Sequence, residues 1–191
     1  MSFINTYKLL FFLLNIFLIT TLLTQSIIAD EGNIKPHIKD NKIIFIRHAY
    51  APGNGDPKNF NIYDCATQRN INLKGINQAQ RIGNFFRENK IIIDKVYTSQ
   101  GCRCKDTAKI AFQRYEIFHA LNSFYDIKFA KNRIKQIQEL NQFIKNLNNK
   151  NNVVFITHYV VIFSLLNITP QSGEIIITDK KLNIQKRIKT M

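Results

Sequence analysis

Two segments of this chain share one form: Ile43-Ile44-Phe45-Ile46-Arg47-His48 and Val153-Val154-Phe155-Ile156-Thr157-His158. Each sets four bulky apolar residues in an unbroken run, then a polar residue, then histidine. Such runs suit strands buried on both faces, as in a parallel sheet covered by helices. A parallel sheet in turn requires helical crossovers between its strands. In open sheets of this kind, ligands bind outside the carboxyl ends of the strands. Two of the four histidines are therefore expected where such folds do their chemistry, one of them beside an arginine.

The rest of the pattern fits. Strands are expected over 42–48, 95–99, 116–121, 153–158, 174–178 and, at an edge, 182–188. Apolar residues at helical spacing (Ile76, Ala79, Ile82 and Phe86) predict a helix from Leu73 to Asn89 with Asn72 as its N-cap. Further helices are expected over 103–114, over 130–149 and through Val161 and Leu165. Alternating strands and helices predict a three-layer α/β/α sandwich with a mostly parallel central sheet. The segment from Ala49 to Asn72, rich in turn formers at Pro52-Gly53-Asn54-Gly55-Asp56-Pro57, is long for a structureless loop, and such loops are usually functional.

The chain has 191 residues, enough for one domain with a real core. Residues 1–29 carry Lys8 as their only charge, an apolar run from Leu9 to Leu23, and Ala29 ahead of Asp30-Glu31. This is the form of a secretory signal peptide, with cleavage expected after Ala29. The body, 30–191, would then be exported, periplasmic or secreted. Retained, the same segment would be a membrane anchor, and only then is a membrane partner expected. The formal charge of +14 comes mostly from scattered lysines. No basic run interleaves with aromatics, so nucleic acid is not an expected partner. Three cysteines, Cys65, Cys102 and Cys104, leave at least one unpaired within the chain; Cys65 with either of the other two is the sensible bridge. No further ligands sit at zinc spacing, so no metal is expected.

A neutral imidazole is a good nucleophile toward phosphorus, and a guanidinium fork matches phosphoryl oxygens. Arg47-His48 at a strand end is thus suited to phosphate ester chemistry. Thr98-Ser99 leads into a helix start with Arg103 in its first turn, where unpaired backbone N–H groups favour an anion. Arg69, in the long loop, either reaches a substrate anion or is structural. His119 and Glu174 are expected to be structural and His37 to lie at the surface.

Taken together, these motifs resemble the histidine phosphatase superfamily, also called phosphoglycerate mutase-like, in the manner of a short exported bacterial-type member. Arg47-His48-Ala49 looks like its Arg-His-Gly motif, with Ala for Gly. Leu73-Lys74-Gly75-Ile76-Asn77-Gln78-Ala79 resembles its Leu-Thr-x-x-Gly-x-x-Gln-Ala helix start, shifted by one residue at Gly. Thr98-Ser99 through Arg103 to Thr107-Ala108 is similar to its Ser-Ser-x-x-x-Arg-x-x-x-Thr-Ala segment, and Val154 to His158 resembles its second-histidine strand.

The resemblance implies a phosphatase acting on a phosphomonoester or other phosphoryl compound without a cofactor. His48 would be the phosphorylated nucleophile, with Arg47, Arg103 and His158 around the phosphate. Asn54 falls where many members place a phosphate-contacting Asn. Many members also carry a Glu after the third strand to protonate the leaving oxygen; here Leu121 to Asp126 has none, and Asp126 is the candidate substitute. Without a positioned acid, labile donors such as phosphohistidine or acyl phosphates gain over alkyl phosphates. The substrate would be a small phosphorylated molecule or a phosphoprotein. The alternative is a catalytically inactive phosphate-binding or scaffolding protein on the same fold.

Overall fold

The two apolar runs form adjacent strands, as their composition demands. The structure, a computed structural model, describes Ile38 and residues 40–191; the leader and His37 lie outside the described residues. Six strands are present: β1 (Ile43–Arg47), β2 (Ile93–Thr98), β3 (Glu116–Ile117), β4 (Asn152–Thr157), β5 (Ile175–Thr178) and β6 (Ile184–Ile188). They form one sheet in the order β3-β2-β4-β1-β5-β6. The pairs β3/β2, β2/β4 and β4/β1 are parallel, whereas β1/β5 and β5/β6 are antiparallel. The parallel character predicted from sequence thus holds for one side of the sheet and gives way to a hairpin at the other.

The helices are α1 (Leu73–Glu88), α2 (Cys102–Phe112), α3 (Ile127–Ala130), α4 (Arg133–Asn146) and α5 (Tyr159–Leu166). Ile43, Phe45, Val153 and Phe155 join Leu140, Ile144, Val161 and Ile162 from α4 and α5 in one apolar cluster. The alternate residues Ile44, Ile46, Val154 and Ile156 are equally buried, and by the two-residue period of a strand they face the other layer, where α1 packs on α2. Among the described residues no helix is long and apolar enough to cross a membrane.

Two elements differ from expectation. The third strand spans only Glu116–Ile117, and His119–Leu121 form a 3₁₀ turn. Ala120 and Leu121 are both fully buried. The turn carries both inward, closed by Leu121 N–H to the Phe118 carbonyl at 3.0 Å. The helix expected over 130–149 is split. α3 starts earlier because the Asp126 carboxylate caps it, accepting from the Lys128 N–H at 3.0 Å, and α4 ends at Asn146, before extended Leu147. Asn72 caps α1 as expected, accepting from Gly75 N–H at 3.1 Å.

Gly75 fixes how α1 meets the chain leaving β1. A methyl there would lie 2.1 Å from the Tyr50 carbonyl oxygen and 2.9 Å from Ile71 Cβ. Although Ala is the better helix former, Gly75→Ala should lower stability by about 1–3 kcal/mol, as overpacking does. Denaturant unfolding checks this; an unchanged midpoint contradicts it.

Candidate active site

β1 and β4 run parallel in register, Arg47 opposite Thr157, so the next residue of each strand is a histidine at the same edge. The rings of His48 and His158 lie edge to face, centroids 5.4 Å apart, and both are almost wholly buried. Arg103 joins them from the first turn of α2, with its Nη2 3.3 Å from His158 Nδ1. Arg47 donates from Nη1 to the Pro170 carbonyl at 2.9 Å, and its guanidinium stands 5.3 Å from the centre of the Tyr159 ring. These four residues line one cavity of about 770 Å³, with Asn54, Arg69 and Asp126 also on its wall.

The hydrogen bonds fix both tautomers. His48 Nδ1 lies 2.8 Å from the Ala49 carbonyl oxygen. A carbonyl only accepts, so Nδ1 carries the proton and Nε2 keeps its lone pair. An arginine only donates, so His158 Nδ1 is the acceptor from Arg103, and its Nε2–H donates to Ser99 Oγ at 2.9 Å. Ser99 in turn donates to Asn122 Oδ1 at 2.9 Å. Burial first, then the positive charge of Arg103, hold both imidazoles well below the usual histidine range; Arg47 and Arg69 act in the same direction.

Other motif residues brace this arrangement. Ala49 N–H donates to Thr107 Oγ1 at 3.0 Å, and Thr107 donates to the Arg103 carbonyl at 2.7 Å, joining the turn after β1 to α2. Gln78 accepts from Tyr50 N–H at 2.8 Å and donates to the Ser172 carbonyl at 2.7 Å. Glu174, almost wholly buried, accepts from Arg187 Nε at 2.6 Å and from Gln171 N–H at 2.7 Å. His119 is exposed and donates from Nδ1 to Gln100 Oε1 at 2.7 Å.

The main residue missed from sequence is Asp56. Its carboxylate takes the Arg103 fork bidentately, at 2.8 and 3.2 Å, and accepts from Arg69 N–H at 3.0 Å. The available signal was an acidic residue inside a pocket-covering loop, in a chain with 13 acidic residues against 27 basic ones.

The remaining candidates are placed differently. Arg69 has its guanidinium on the carbonyls of Ala51, Gly53 and Gly55, holding the loop in shape. Asn54 and Asp126 are exposed at the rim. The Asp126 carboxylate is engaged as the cap of α3 and lies 3.7 Å from Lys128 Nζ. The helix start also differs from expectation. Gln100, Gly101 and Cys102 N–H groups already donate to Asn122, Ser99 and Gln68 side chains at 2.8, 3.1 and 2.9 Å, so anion binding falls chiefly to the guanidiniums. The Nε–H groups of Arg47 and Arg103 are buried without a partner.

Cys65 in the loop is bridged to Cys102 at the head of α2. Cys104 is free and buried, 3.5 Å from His158 Nε2, and burial pushes its thiol up to about 12, which leaves it un-ionised and unreactive at neutral pH. Among the described residues no three His, Cys, Asp or Glu side chains gather as a metal site.

Residues 43–130 match the family model described as histidine phosphatase superfamily, branch 1. Over that segment, just under half of the chain, the sequence is similar to the histidine phosphatase superfamily. The fold is similar to that of solved structures at low identity. The protein histidine phosphatase SixA in complex with tungstate is 14% identical with a TM-score of 0.55, covering 78% of this chain and 97% of that one. The phosphohistidine phosphatase SixA proposed for Agrobacterium tumefaciens is 12% identical, TM-score 0.56, covering 78% and 98%. A phosphoglycerate mutase from Thermus thermophilus is 14% identical, TM-score 0.53, covering 78% and 98%. No curated protein matches the chain.

Two tests follow from the charges. Unfolded histidine takes a proton near pH 6.5, whereas His48 and His158 in the folded chain stay neutral well below it. The unfolded state therefore binds more protons as pH falls through 6.5. Stability should drop there by up to about 1.4 kcal/mol per pH unit for each histidine. Urea unfolding between pH 7.5 and 5.5, above the carboxylate range, measures this; stability that is level or rises toward pH 5.5 contradicts it. Separately, Asp56→Ala should cost about 1–3 kcal/mol by leaving the Arg103 fork unmatched, and added phosphate should recover part of it. A variant whose melting temperature ignores phosphate would show that the anion does not reach Arg103.

Proposed function

We propose that this protein is a phosphatase that passes a phosphoryl group through His48 to water. The observation that carries the reading is the His48 tautomer: Nδ1–H is pinned to the Ala49 carbonyl, leaving Nε2 unprotonated in a cavity lined by Arg47 and Arg103. Nε2 attacks phosphorus, forming a P–N bond as the bond to the leaving atom breaks and its electron pair goes to that atom. Water then attacks phosphorus, the P–N pair returns to the imidazole, and phosphate departs. Charge on the equatorial oxygens is met by guanidinium groups. The unpartnered Nε–H groups of Arg47 and Arg103 support binding of a multidentate oxyanion. So does the tungstate complex of SixA, a protein with this fold. His158, oriented by Ser99, accepts from Arg103 and so steadies the guanidinium that faces the anion.

Both carboxylates on the cavity wall are engaged, Asp56 by Arg103 and Asp126 as a helix cap. This favours phosphoryl donors whose leaving group departs without a proton from the enzyme. One observation favours the second reading, an inactive anion-binding protein: the Arg103 fork is taken by Asp56.

We also infer that the body is exported. The apolar leader and the Cys65–Cys102 bridge both fit an oxidising compartment.

With phosphoramidate as substrate, His48→Ala should abolish turnover while leaving circular dichroism unchanged, and Arg103→Ala should cut it about a hundredfold or more. Labelled phosphate should be trapped on the wild type at His48. Turnover persisting in His48→Ala refutes the mechanism; binding of phosphate with no trapped label and no turnover favours the inactive reading.

A further inference from the structure

The cavity is far larger than a phosphoryl group requires; about 770 Å³ is the size of a small-ligand pocket. The anion-binding residues occupy one end. The rest of the wall mixes polar side chains such as Asn132 and Gln136 with a group of aromatic rings, drawn from three separate parts of the chain. Tyr159, at the start of α5, stands beside Arg47, and Tyr125 packs edge to face on it with centroids 5.8 Å apart. Phe60 from the long loop meets Phe129 of α3 at 5.7 Å, and Ile62 adjoins them on the cavity wall. Tyr125 is 53% exposed although large, so a broad ring face lies open at this wall. Such faces bind flat apolar groups by stacking or edge contact.

The cationic side chains beyond the phosphoryl end already have partners. Arg69 is committed to three backbone carbonyls, and Lys128, which stands over the Phe60 and Phe129 rings, has the Asp126 carboxylate 3.7 Å away. The wall therefore suits an uncharged body rather than a second phosphate. An independent feature agrees. With Asp56 and Asp126 both engaged, the leaving oxygen gets no proton from the enzyme. An aryloxide, whose parent phenol has a pKa of about 10, departs without one, whereas a simple alkoxide does not.

We propose that the cavity takes an aryl phosphate, its single phosphoryl group among Arg47, His48 and Arg103 and its ring system against Tyr125, Tyr159, Phe60 and Phe129. The inference rests on the phosphatase reading for its turnover but not for its binding. In the reaction the His48 Nε2–P bond forms as the P–O(aryl) bond breaks. The electron pair leaves on the aryl oxygen, which takes a proton from water, and hydrolysis of the phosphohistidine completes the cycle. The net change is aryl phosphate plus water to phenol plus phosphate. A free aryl phosphate and a phosphotyrosine side chain share this chemistry.

Two measurements test it. Calorimetric titration of the purified chain with methylphosphonate and with naphthylmethylphosphonate, neither of which can be hydrolysed, should give at least tenfold tighter binding of the aryl compound. Equal affinities overturn the proposal whether or not the protein turns over. Kinetics with naphthyl phosphate, a phosphotyrosine peptide and phosphoramidate, which has no ring, should favour an aryl substrate in kcat/KM; which of the two leads identifies the source. Tyr125→Ala and Phe129→Ala, changed separately because Tyr125 also lies against Gly55 of the loop, should each lower the aryl-to-phosphoramidate ratio about tenfold through KM. A ratio unmoved in both variants makes the wall structural and sinks the inference. Wild-type protein hydrolysing none of the three sinks the phosphatase reading instead, with the phosphonate titration still deciding the aromatic wall.

Discussion

The parallel, in-register pairing of β1 with β4 governs everything at the site. Arg47 lies opposite Thr157, and the ladder continues one step further through the His48 N–H to the Thr157 carbonyl at 2.9 Å. That last bond is why the two imidazoles leave the sheet side by side. From the other flank, Gly173 N–H reaches the carbonyls of Arg47 and His48, each at 3.1 Å. A slip of one residue in either strand would turn its whole apolar set to the opposite face. The fully buried Ile43–Ile46 and Val153–Ile156 runs oppose such a slip, so the core that stabilises the sheet also sets the spacing of the histidines.

Around this pair the charges oppose one another in a dry setting. Arg47, Arg69 and Arg103 face two neutral imidazoles and the Asp56 carboxylate. Positive charges close to a buried histidine disfavour a further proton on it, which keeps the nucleophilic form dominant. The same charges attract an oxyanion more strongly than they would in water. Asp56 offsets part of that excess, and the Arg69 guanidinium is held by backbone carbonyls while its charge still reaches both imidazoles.

The β1 and β4 segments were legible because four consecutive apolar residues leave few alternatives to a doubly covered strand, whereas Arg103 was singled out by the resemblance of Thr98-Ser99 through Thr107-Ala108 to a family motif, its place in a helix's first turn alone reading as a solvated arginine. Cys65 was identified as one partner of a bridge; geometry selects Cys102 over Cys104. Asp56 was hidden in plain view: Gly55-Asp56-Pro57 reads as turn chemistry, and nothing local says that its carboxylate returns to a helix 47 positions later. The segment after β3 was misread because Glu116 to Leu121 alternates well enough on paper, and nothing in that alternation marks the 3₁₀ turn in which Leu121 and Asn122 N–H groups donate to the Phe118 and His119 carbonyls. The capping role of Asp126 was likewise invisible, since the helix it starts is a single turn ahead of α4.

The bridge between Cys65 and Cys102 joins residues 37 positions apart and fastens the covering loop to the helix that carries Arg103. A tether of this kind removes much of the freedom the segment would otherwise have in the unfolded chain. A guest entering the hollow then meets a rampart already standing, and its affinity is not diminished by the need to freeze a floppy strap. Recognition here is that of a fixed socket whose outline is decided when two sulfur atoms join, before any ligand arrives.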